Sequence, residues 1–511
     1  MDDSLFDFAR LHAAWLDCRR GKSQCSRWQF EIGLERELLA LRDELAARTW
    51  RPSPSVCFVT EQPKRREIFA AAFRDRVVHH LVVRHLEPYW ERRFIHDNYA
   101  CRRGKGTLAA VNRIQTFMRQ VSANGSRRAF VLHLDIRSFF VRIHKETLFA
   151  ILDDGLCRQN APWQETMRWL LERIVFRDPA SDAIRIGRGF NAVPEHKSLF
   201  HTHNVCGLPI GNYTSQFFAN VYLDRLDQFV KQTLKTRHYL RYVDDLILMH
   251  ESREQLELWE TAIDDFLRRE LELELNHNRR QLVPVHNGLD ALGYVVHLHH
   301  RLLRRRTVRR FRQHLAKVRW QQVRERTHGC EWLPPRDGGA ALMAQAMSYR
   351  GLLSHAQSRN LCRDLQREHD LPGWLWRLDR SGKVQRRDAP QARHHTLFGQ
   401  WRRFCREWPN ALVLMQVGRH LEAWGIHALW LGRALGLKPG RFRKRMGAGA
   451  GFPVTQLSQR LPALRALNRP VAIFVQTGLR RGRVAQRRLA WYWWPAGKNP
   501  ADDAAPWLLV P

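Results

Sequence analysis

Apolar positions in the first fifty residues recur at the three- and four-residue spacing of a helix that buries one face. Arginines fill many of the positions between them. The apolar positions are Trp15, Leu16, Trp28, Phe30, Leu34, Leu38 and Leu41. We therefore predict an N-terminal helical extension over residues 1–55.

Farther along the chain, short apolar runs alternate with longer segments of helical periodicity. The apolar runs lie near 130–136, 239–249 and 291–298, and helical periodicity covers 145–175 and 213–235. Strands and helices in this order are typical of a mostly antiparallel sheet backed by helices. The pattern predicts an α+β fold.

The second half of the chain changes character at three points. Residues 301–325 are strongly basic and lead into helical periodicity that continues to about residue 376. Residues 377–395 are polar and contain Gly and Pro, which predicts a linker. Residues 396–511 then alternate strand-like and helical segments and carry nineteen Lys and Arg against four Asp and Glu. We predict a separate basic α/β domain there.

The charge of the chain indicates a polyanionic partner. Of its 511 residues 44% are hydrophobic, which is typical of a globular protein, and 85 Lys and Arg outnumber 50 Asp and Glu to give a formal charge of +35. The basic surplus is spread along the whole chain. Such a surplus is typical of proteins that bind nucleic acid.

Cysteine usage and the N terminus bear on the compartment. The nine cysteines include no Cys-x-x-Cys pair, as expected of reduced thiols in a cytoplasmic protein. The N terminus lacks a basic region followed by an apolar stretch, and no run of about 18 apolar residues occurs. We predict a cytoplasmic protein that is neither secreted nor membrane-spanning.

Two adjacent carboxylates, Asp244 and Asp245, lie between two apolar segments where a hairpin would turn. A third, Asp135, ends a buried apolar run about a hundred residues upstream. Oxygen ligands on neighbouring strands suit hard cations, and a pair of such ions can serve an in-line displacement at phosphorus. The three acids predict a site for two Mg²⁺ ions. Taken alone, the Asp-Asp pair is also compatible with a solvated turn.

Six short segments, two of which contain these acids, occur in an order along the chain that is itself informative. They are Pro63-Lys-Arg-Arg-Glu-Ile-Phe69, Ala100-Cys-Arg-Arg-Gly-Lys-Gly-Thr107, Leu134-Asp-Ile-Arg-Ser-Phe-Phe140, Leu208-Pro-Ile-Gly-Asn-Tyr-Thr-Ser-Gln-Phe-Phe-Ala-Asn220, Tyr242-Val-Asp-Asp245 and Leu292-Gly-Tyr294. Through them the chain resembles a reverse transcriptase, and their ordered co-occurrence is far more specific than any single motif. The resemblance implies a right-hand polymerase with fingers and palm at 56–300 and a thumb at 301–376.

The resemblance also implies roles for single residues. Asp135 and Asp244 would be the principal metal ligands, and Asp245 would complete the catalytic set as a structural neighbour or an intermittent ligand. Phe140 matches the aromatic residue beneath the sugar 2′ position, which selects dNTPs by excluding the ribonucleotide hydroxyl. Alternatively, Phe139 and Phe140 are both core aromatics.

Two basic segments match phosphate-binding positions of the same family. Lys64 and Arg66 would hold the triphosphate of the incoming dNTP, for which a forked guanidinium is well suited. A solvated basic loop is the alternative. Arg102, Arg103 and Lys105 would contact phosphates of the dNTP or the template.

The segment Leu208-Pro-Ile-Gly211 departs from many reverse transcriptases, which have glutamine where this chain has Ile210. Together with Gly211 and Gln216, and with the segment at 99–107, Ile210 is similar to the enzymes of diversity-generating retroelements. These copy a template RNA into cDNA with frequent errors opposite adenine. Loss of a polar contact to the nascent base pair removes a geometric check, so we expect low fidelity. The alternative is a packing variant in an accurate enzyme.

Residues 396–511 are similar to the first domain of the MutS mismatch-repair family. That domain carries a Gly-Asp-Phe-Tyr-Glu signature, and the aligned residues here are Gly418-Arg-His-Leu-Glu422. Because the wedge phenylalanine is replaced, mismatch sensing of the usual kind is in doubt. Arg419, His420 and Glu422 are candidates for nucleic-acid binding, and a protein-docking or structural role is the alternative.

The expected partners are template RNA, cDNA, dNTPs and a small accessory protein of the retroelement. The basic helix after residue 300 is expected to follow the template–primer backbone. Arg279 stands where related enzymes often have a lysine general acid; arginine stays charged, so we assign it to phosphate neutralisation. Two alternatives stay open, a retron-type or antiphage reverse transcriptase and a catalytically idle nucleic-acid-binding protein.

Overall fold

The computed structural model describes residues 3–19, 25–61, 64–332, 348–349, 351–368, 377–378, 384–385, 396–443, 447–481 and 484–496. The chain divides into two units, residues 1–289 and residues 290–511, which are described separately. Most of the predicted linker at 377–395 lies outside the described residues. So do the segments 333–347 and 369–376 of the predicted thumb.

The first unit combines helices with two sheets. Its helices are α1 (Phe8–Arg19), α2 (Cys25–Ile32), α3 (Leu34–Ala46), α4 (Phe73–Arg93), α5 (Thr107–Val121), α6 (Phe139–Arg142), α7 (Lys145–Cys157), α8 (Gln164–Val175), α9 (Tyr213–Gln228) and α10 (Arg253–Leu271). Its strands are β1 (Val56–Thr60), β2 (Arg66–Ala70), β3 (Phe130–Asp135), β4 (Ile184–Arg185), β5 (His238–Tyr242), β6 (Asp245–His250) and β7 (Gln281–Pro284).

A four-stranded antiparallel sheet in the order β5-β6-β3-β7 carries the catalytic candidates. All six residues of β3 are buried, as expected for a strand flanked on both sides. The apolar run 239–249 forms β5 and β6 with a turn between them, so the predicted hairpin and the α+β pattern are confirmed. A second sheet, in the order β2-β1-β4, lies in the predicted fingers.

The N-terminal helices share a hydrophobic core with the rest of this unit. Trp15, Leu38 and Leu41 are buried in the same cluster as Leu132 of β3, whereas Trp28 is 58% exposed. The amphipathic pattern therefore predicted most of the buried face correctly.

A buried ion pair links α9 to strand β5. Arg241 and Asp227 both have no exposed side-chain surface, and Arg241 Nη2 lies 2.7 Å from Asp227 Oδ2. Tyr239 Oη donates a second hydrogen bond to Asp227 at 2.8 Å. Burial alone would lower the pKa of Arg241, but the adjoining Asp227 carboxylate raises it. The guanidinium is therefore charged inside the core.

The second unit, with β8 (Leu289–Ala291) at its boundary, begins with a small sheet. The strand-like segment predicted near 291–298 contains β9 (Tyr294–Val296), but its first residues belong to β8 and to a turn: Leu292 and Gly293 lie between the two strands with φ of 50° and 97°. Two successive positive φ angles are typical of the tight turn of a two-residue hairpin. Strand β10 (Arg301–Leu303) completes this sheet.

An eight-stranded sheet forms the body of the second unit, in the order β11-β12-β20-β19-β15-β16-β18-β17. Its helices are α11 (Arg305–Gln322), α12 (Arg359–Glu368), α13 (Leu397–Glu407), α14 (Ile426–Leu435) and α15 (Leu457–Arg465). Its strands are β11 (Val323–Arg326), β12 (Gly329–Trp332), β15 (Leu412–Val417), β16 (His420–Trp424), β17 (Gly440–Arg443), β18 (Gly447–Pro453), β19 (Val471–Arg481) and β20 (Val484–Pro495), and β13 (Arg377–Leu378) pairs with β14 (Val384–Gln385) separately. Strand β12 pairs with β20, so this sheet contains strands from both the predicted thumb and the predicted C-terminal domain.

None of the helices in the described part of the chain has the length and apolar character needed to span a membrane.

Replacing Asp227 by Ala should lower the free energy of unfolding by about 3–5 kcal/mol, because Arg241 would become an unpaired buried charge. Chemical denaturation monitored by circular dichroism measures this loss. As a matched control, Asp154→Ala removes the partner of Arg158 in an exposed ion pair on one helix and should change stability far less. Equal losses in the two variants would contradict this assignment.

Candidate active site

The two adjacent carboxylates lie at a hairpin tip next to the end of β3. Strands β3 and β6 pair so that Asp135 lies opposite Asp245, and Val243 and Asp244 form the turn between β5 and β6. Val243 has φ of 56°, a left-handed conformation that is strained for a β-branched residue. The backbone N–H of Ile136 donates to the Asp244 carbonyl at 3.2 Å. The register thus brings all three acids to one end of the sheet.

The carboxylate of Asp135 is held by a polar segment that follows α10. Asn276 Nδ2 donates to Asp135 Oδ2 at 2.8 Å, and Arg279 Nη1 donates to Oδ1 at 3.2 Å. Asp135 is only 8% exposed. Arg279, which is predicted to neutralise phosphate, therefore contacts the predicted catalytic carboxylate of Asp135 directly.

Asp245 has a partner that the motif comparison did not find. His133 Nε2 lies 2.9 Å from Asp245 Oδ1, and His133 is 7% exposed. Because side chains alternate along a strand, His133 shares a face of β3 with Asp135 two residues later. This alternation is the sequence feature from which the position of His133 beside the acids could have been predicted.

Asp244 lies close to the other two carboxylates. Burial, followed by the neighbouring charges of Asp245 and Asp135, raises the pKa of Asp244 to about 7, while Arg66 opposes the shift. A carboxylate in these surroundings is stabilised by a bound cation.

The donor set fits a hard divalent cation, although the described residues contain no group of three or more His, Cys, Asp or Glu side chains placed to hold one as they stand. Arg279 contacts Asp135, and His133 contacts Asp245. The available donors at the tip are carboxylate oxygens, which Mg²⁺ prefers. Asp135 and Asp244 are the residues that would hold it.

Lys64 and Arg66 lie on the fingers side of these acids. Lys64 precedes β2, Arg66 is its first residue, and both are exposed. Partial burial and the nearby Arg279 lower the pKa of Lys64, whereas Asp135 and Asp244 act in the opposite direction. These interactions place Lys64 within electrostatic reach of both acids, as the predicted triphosphate site requires.

The two phenylalanines after β3 differ in burial. Phe139 is 2% exposed and belongs to the core, whereas Phe140 is only partly buried and packs against that core. Their ring centroids are 5.3 Å apart. Phe140 is thus the one with surface available to a substrate.

The segment around Ile210 is bound to strand β2. The N–H of Phe69 donates to the Ile210 carbonyl at 2.8 Å. Gly211 has φ of +129°, and a Cβ there would lie 2.7 Å from the Phe69 carbonyl oxygen, so glycine is required. Ile210 is partly buried, and Gln216, on the first turns of α9, is exposed.

The loop before α5 contains one correction. The Arg102 side chain is 7% exposed, and its three guanidinium nitrogens bond to Glu91, the Ile95 carbonyl and the Asn98 carbonyl. The prediction that Arg102 contacts phosphate is therefore corrected to a structural role, because each of its guanidinium nitrogens is already hydrogen-bonded within the protein. A hydrogen bond of 2.9 Å joins the hydroxyl groups of Thr107 and Tyr242. It links the end of this loop to the Tyr-Val-Asp-Asp segment.

The other two basic residues of this loop are placed differently. Arg103 is largely exposed and 3.9 Å from Glu87, so it can reach a phosphate. Lys105 donates to the His96 carbonyl at 2.8 Å and lies 4.8 Å from the centre of the Tyr99 ring. A phosphate contact by Lys105 requires that bond to break.

In the second unit, Gly418 and Arg419 form the turn between β15 and β16. Gly418 has φ of 60°, and both Arg419 and His420 are exposed. Glu422 is partly buried within β16 and lies opposite Gly451. The two outer residues can reach a partner, whereas Glu422 lies farther from the tip.

Comparison with known proteins identifies the class. Residues 61–296 match the model of the reverse transcriptase (RNA-dependent DNA polymerase) family. The chain carries a reverse transcriptase domain, and its enzyme class is RNA-directed DNA polymerase. That prediction is confirmed, and the retroelement type and the MutS-like domain stay predictions.

Individual relatives are more distant. Protein YkfC of Escherichia coli (strain K12) is 23% identical over 321 residues, which cover 56% of this chain and 76% of YkfC. Apo telomerase from Candida tropicalis, truncated from its C-terminal domain, aligns at 10% identity over 51% of this chain and 59% of that one, with a TM-score of 0.38. Telomerase from Candida albicans, in complex with a fragment of telomeric RNA, aligns at 10% identity over 55% of each chain, with a TM-score of 0.32. The chain spans about half the length of these telomerases.

Replacing Phe140 by Ala should weaken discrimination against ribonucleotides by about tenfold or more, the effect of losing one steric contact of 1–3 kcal/mol. Single-nucleotide incorporation of dNTP and rNTP measures the ratio of the two efficiencies. Phe139→Ala is the matched control and should lower stability without changing that ratio. A ratio that shifts with Phe139 and not with Phe140 would reverse the assignment.

Proposed function

We propose that Asp135 and Asp244 hold two Mg²⁺ ions and that the protein copies a template RNA into cDNA at this site. The observation that carries the proposal is the register that sets Asp135 opposite Asp245, beside a turn that presents Asp244. Metal bound at such a site supplies activation of the attacking 3′ oxygen and stabilisation of the leaving oxygen. The other residues bind and orient the substrates.

The basic residues around the acids suit a triphosphate. Lys64 and Arg66 approach from the fingers, and Arg279 approaches from the segment after α10. A triphosphate would give Arg279 a more highly charged partner than Asp135, which would free the Asp135 carboxylate. Arg279 remains charged and acts by neutralisation, not by proton transfer.

Replacing Asp244 by Asn should reduce cDNA synthesis by at least about a thousandfold, because a neutral amide cannot substitute for a charged metal ligand. Extension of a DNA primer on an RNA template measures this loss. Asp154→Asn, on the exposed face of α7, is the control and should synthesise at the wild-type rate. Full activity in Asp244→Asn would reject the proposed site.

We place the enzyme among those of diversity-generating retroelements, with errors concentrated at template adenines. The support is Ile210, an apolar residue whose backbone carbonyl accepts from the N–H of Phe69 on β2, the strand that begins with Arg66. A retron-type or antiphage enzyme is the second candidate, and a near-repeat of template and variable regions in the flanking DNA distinguishes the two. The catalytically idle alternative is set aside by the enzyme class.

Template RNA, cDNA and dNTPs are the proposed partners, together with a small accessory protein. Helix α11 supports contact with a nucleic-acid backbone, because Arg305, Arg306, Arg309, Arg310 and Arg312 are exposed and the helix contains no acid. The tip at Arg419 and His420 adds a second basic, exposed element. We propose that the C-terminal domain binds nucleic acid without mismatch specificity.

Replacing Ile210 by Gln should lower the error rate at template adenines by about fivefold, the equivalent of one hydrogen bond of ~1 kcal/mol to the nascent pair. Sequencing of cDNA made in vitro from an RNA template measures the rate for each template base. Ile186→Gln changes an isoleucine of the fingers that is 53% exposed and is the control. An error rate in Ile210→Gln equal to that of the control would contradict the fidelity role.

A further inference from the structure

The guanidinium of Arg241 extends beyond its ion pair to the hairpin tip. Arg241 Nε and Nη2 contact Asp227 at 2.7–3.0 Å. Its Nη1 donates to Asn220 Oδ1 and to the carbonyl of Val243, each at 3.1 Å. One fully buried side chain therefore joins α9 to the first residue of the turn.

The backbone conformation of Val243 is unfavourable for valine. Val243 has φ of 56°, and a β-branched side chain is unfavourable in the left-handed region. Such a conformation persists only where surrounding contacts hold it. The donation from Arg241 is a contact of this kind, because it fixes the carbonyl between Val243 and Asp244.

The same arginine also holds the strand end beneath the tip. Its backbone N–H donates to the Asp97 carbonyl, and its carbonyl accepts from the Tyr99 N–H, both at 3.0 Å. Asn220 Nδ2 in turn donates to the Ala100 carbonyl at 2.8 Å. The tip thus rests on a buried polar network that includes α9 and the loop before α5.

We infer that Arg241 is a positioning residue for the metal site: it holds Val243 in the left-handed conformation that directs Asp244 toward Asp135. Arg241 touches neither substrate nor metal and acts through the backbone of the turn. The inference rests on the proposed roles of Asp135 and Asp244. It predicts that loss of the Arg241–Val243 bond weakens metal binding more than template–primer binding.

The test compares two Mg²⁺ titrations in the full-length chain, one of primer extension and one, without substrates, of Mn²⁺ displacement followed by electron paramagnetic resonance, and the two Mg²⁺ requirements should change together. Arg241→Lys retains the charge beside Asp227 but cannot bond Asp227, Asn220 and Val243 together. The Mg²⁺ concentration for half-maximal activity should rise at least fivefold, with KM for template–primer changed less than twofold. Glycine adopts positive φ without strain, so Val243→Gly in the Arg241→Lys background should bring the Mg²⁺ requirement back to within twofold of wild type.

Controls separate positioning from general destabilisation. Arg168→Lys changes an arginine that pairs with Asp153 away from the tip and should leave the Mg²⁺ requirement unchanged. If Arg241→Lys does not fold, Val243→Pro decides, because proline cannot adopt positive φ and Val243 is only partly buried at the edge of the core. It should raise the Mg²⁺ requirement at least tenfold.

Two results would overturn the inference. One is an unchanged Mg²⁺ requirement in Arg241→Lys or, if that variant is unfolded, in Val243→Pro. The other is a raised requirement that Val243→Gly does not restore. Activity retained by Asp244→Asn would instead reject the catalytic assignment itself, so the two failures are distinguishable.

Discussion

The catalytic end of this protein depends on a buried ion pair. Arg241 and Asp227 have no exposed side-chain surface, and charges in such a position must be paired to be tolerated. The pair joins α9, the strand that leads into the Tyr-Val-Asp-Asp turn, and the backbone of the turn itself. A charged guanidinium offers five donors in a fixed plane, so one side chain satisfies two acceptor side chains on α9 and a backbone carbonyl of the turn. The positions of the acids follow from this arrangement.

The charged and polar groups around the three acids form a second feature of the site. Three carboxylates meet at one end of a sheet in a chain with a formal charge of +35, and two of them contact a polar or basic side chain. Arg279 and Asn276 hold Asp135, His133 holds Asp245, and Asp244 is left with a pKa of about 7. The site is therefore prepared for cations and for the phosphates that accompany them. The basic side chains of Lys64 and Arg66, at the start of β2, add positive charge near these acids.

The sequence predicted the elements of this site better than their contacts. Short apolar runs around Asp135 and Asp244 were enough to predict the strands and the hairpin, because the position of apolar residues along the chain is local information. The pairing of Arg241 with Asp227 was not predictable in the same way, since either residue alone resembles an exposed charge. Arg102 is the opposite case, in which a motif suggested an exposed charge but the residue is buried and paired. Its motif suggested phosphate binding, but the carboxylate of Glu91 and two carbonyls, brought close only by folding, occupy it. Likewise, the turn within the strand-like segment near 291–298 depends on a positive φ at Leu292, which leucine rarely adopts.

We propose that a divalent cation binds between Asp135 and Asp244. When Fe²⁺ substitutes for Mg²⁺ and hydrogen peroxide is added, oxidation of the bound Fe²⁺ to Fe³⁺ reduces the peroxide to hydroxide and a hydroxyl radical that cuts the polypeptide near the ion, so mapping the cuts locates the site directly. We predict cuts near residues 135 and 243–245 that excess Mg²⁺ suppresses and that disappear in Asp244→Asn. Cuts confined to other segments, or a pattern unchanged in Asp244→Asn, would contradict the account.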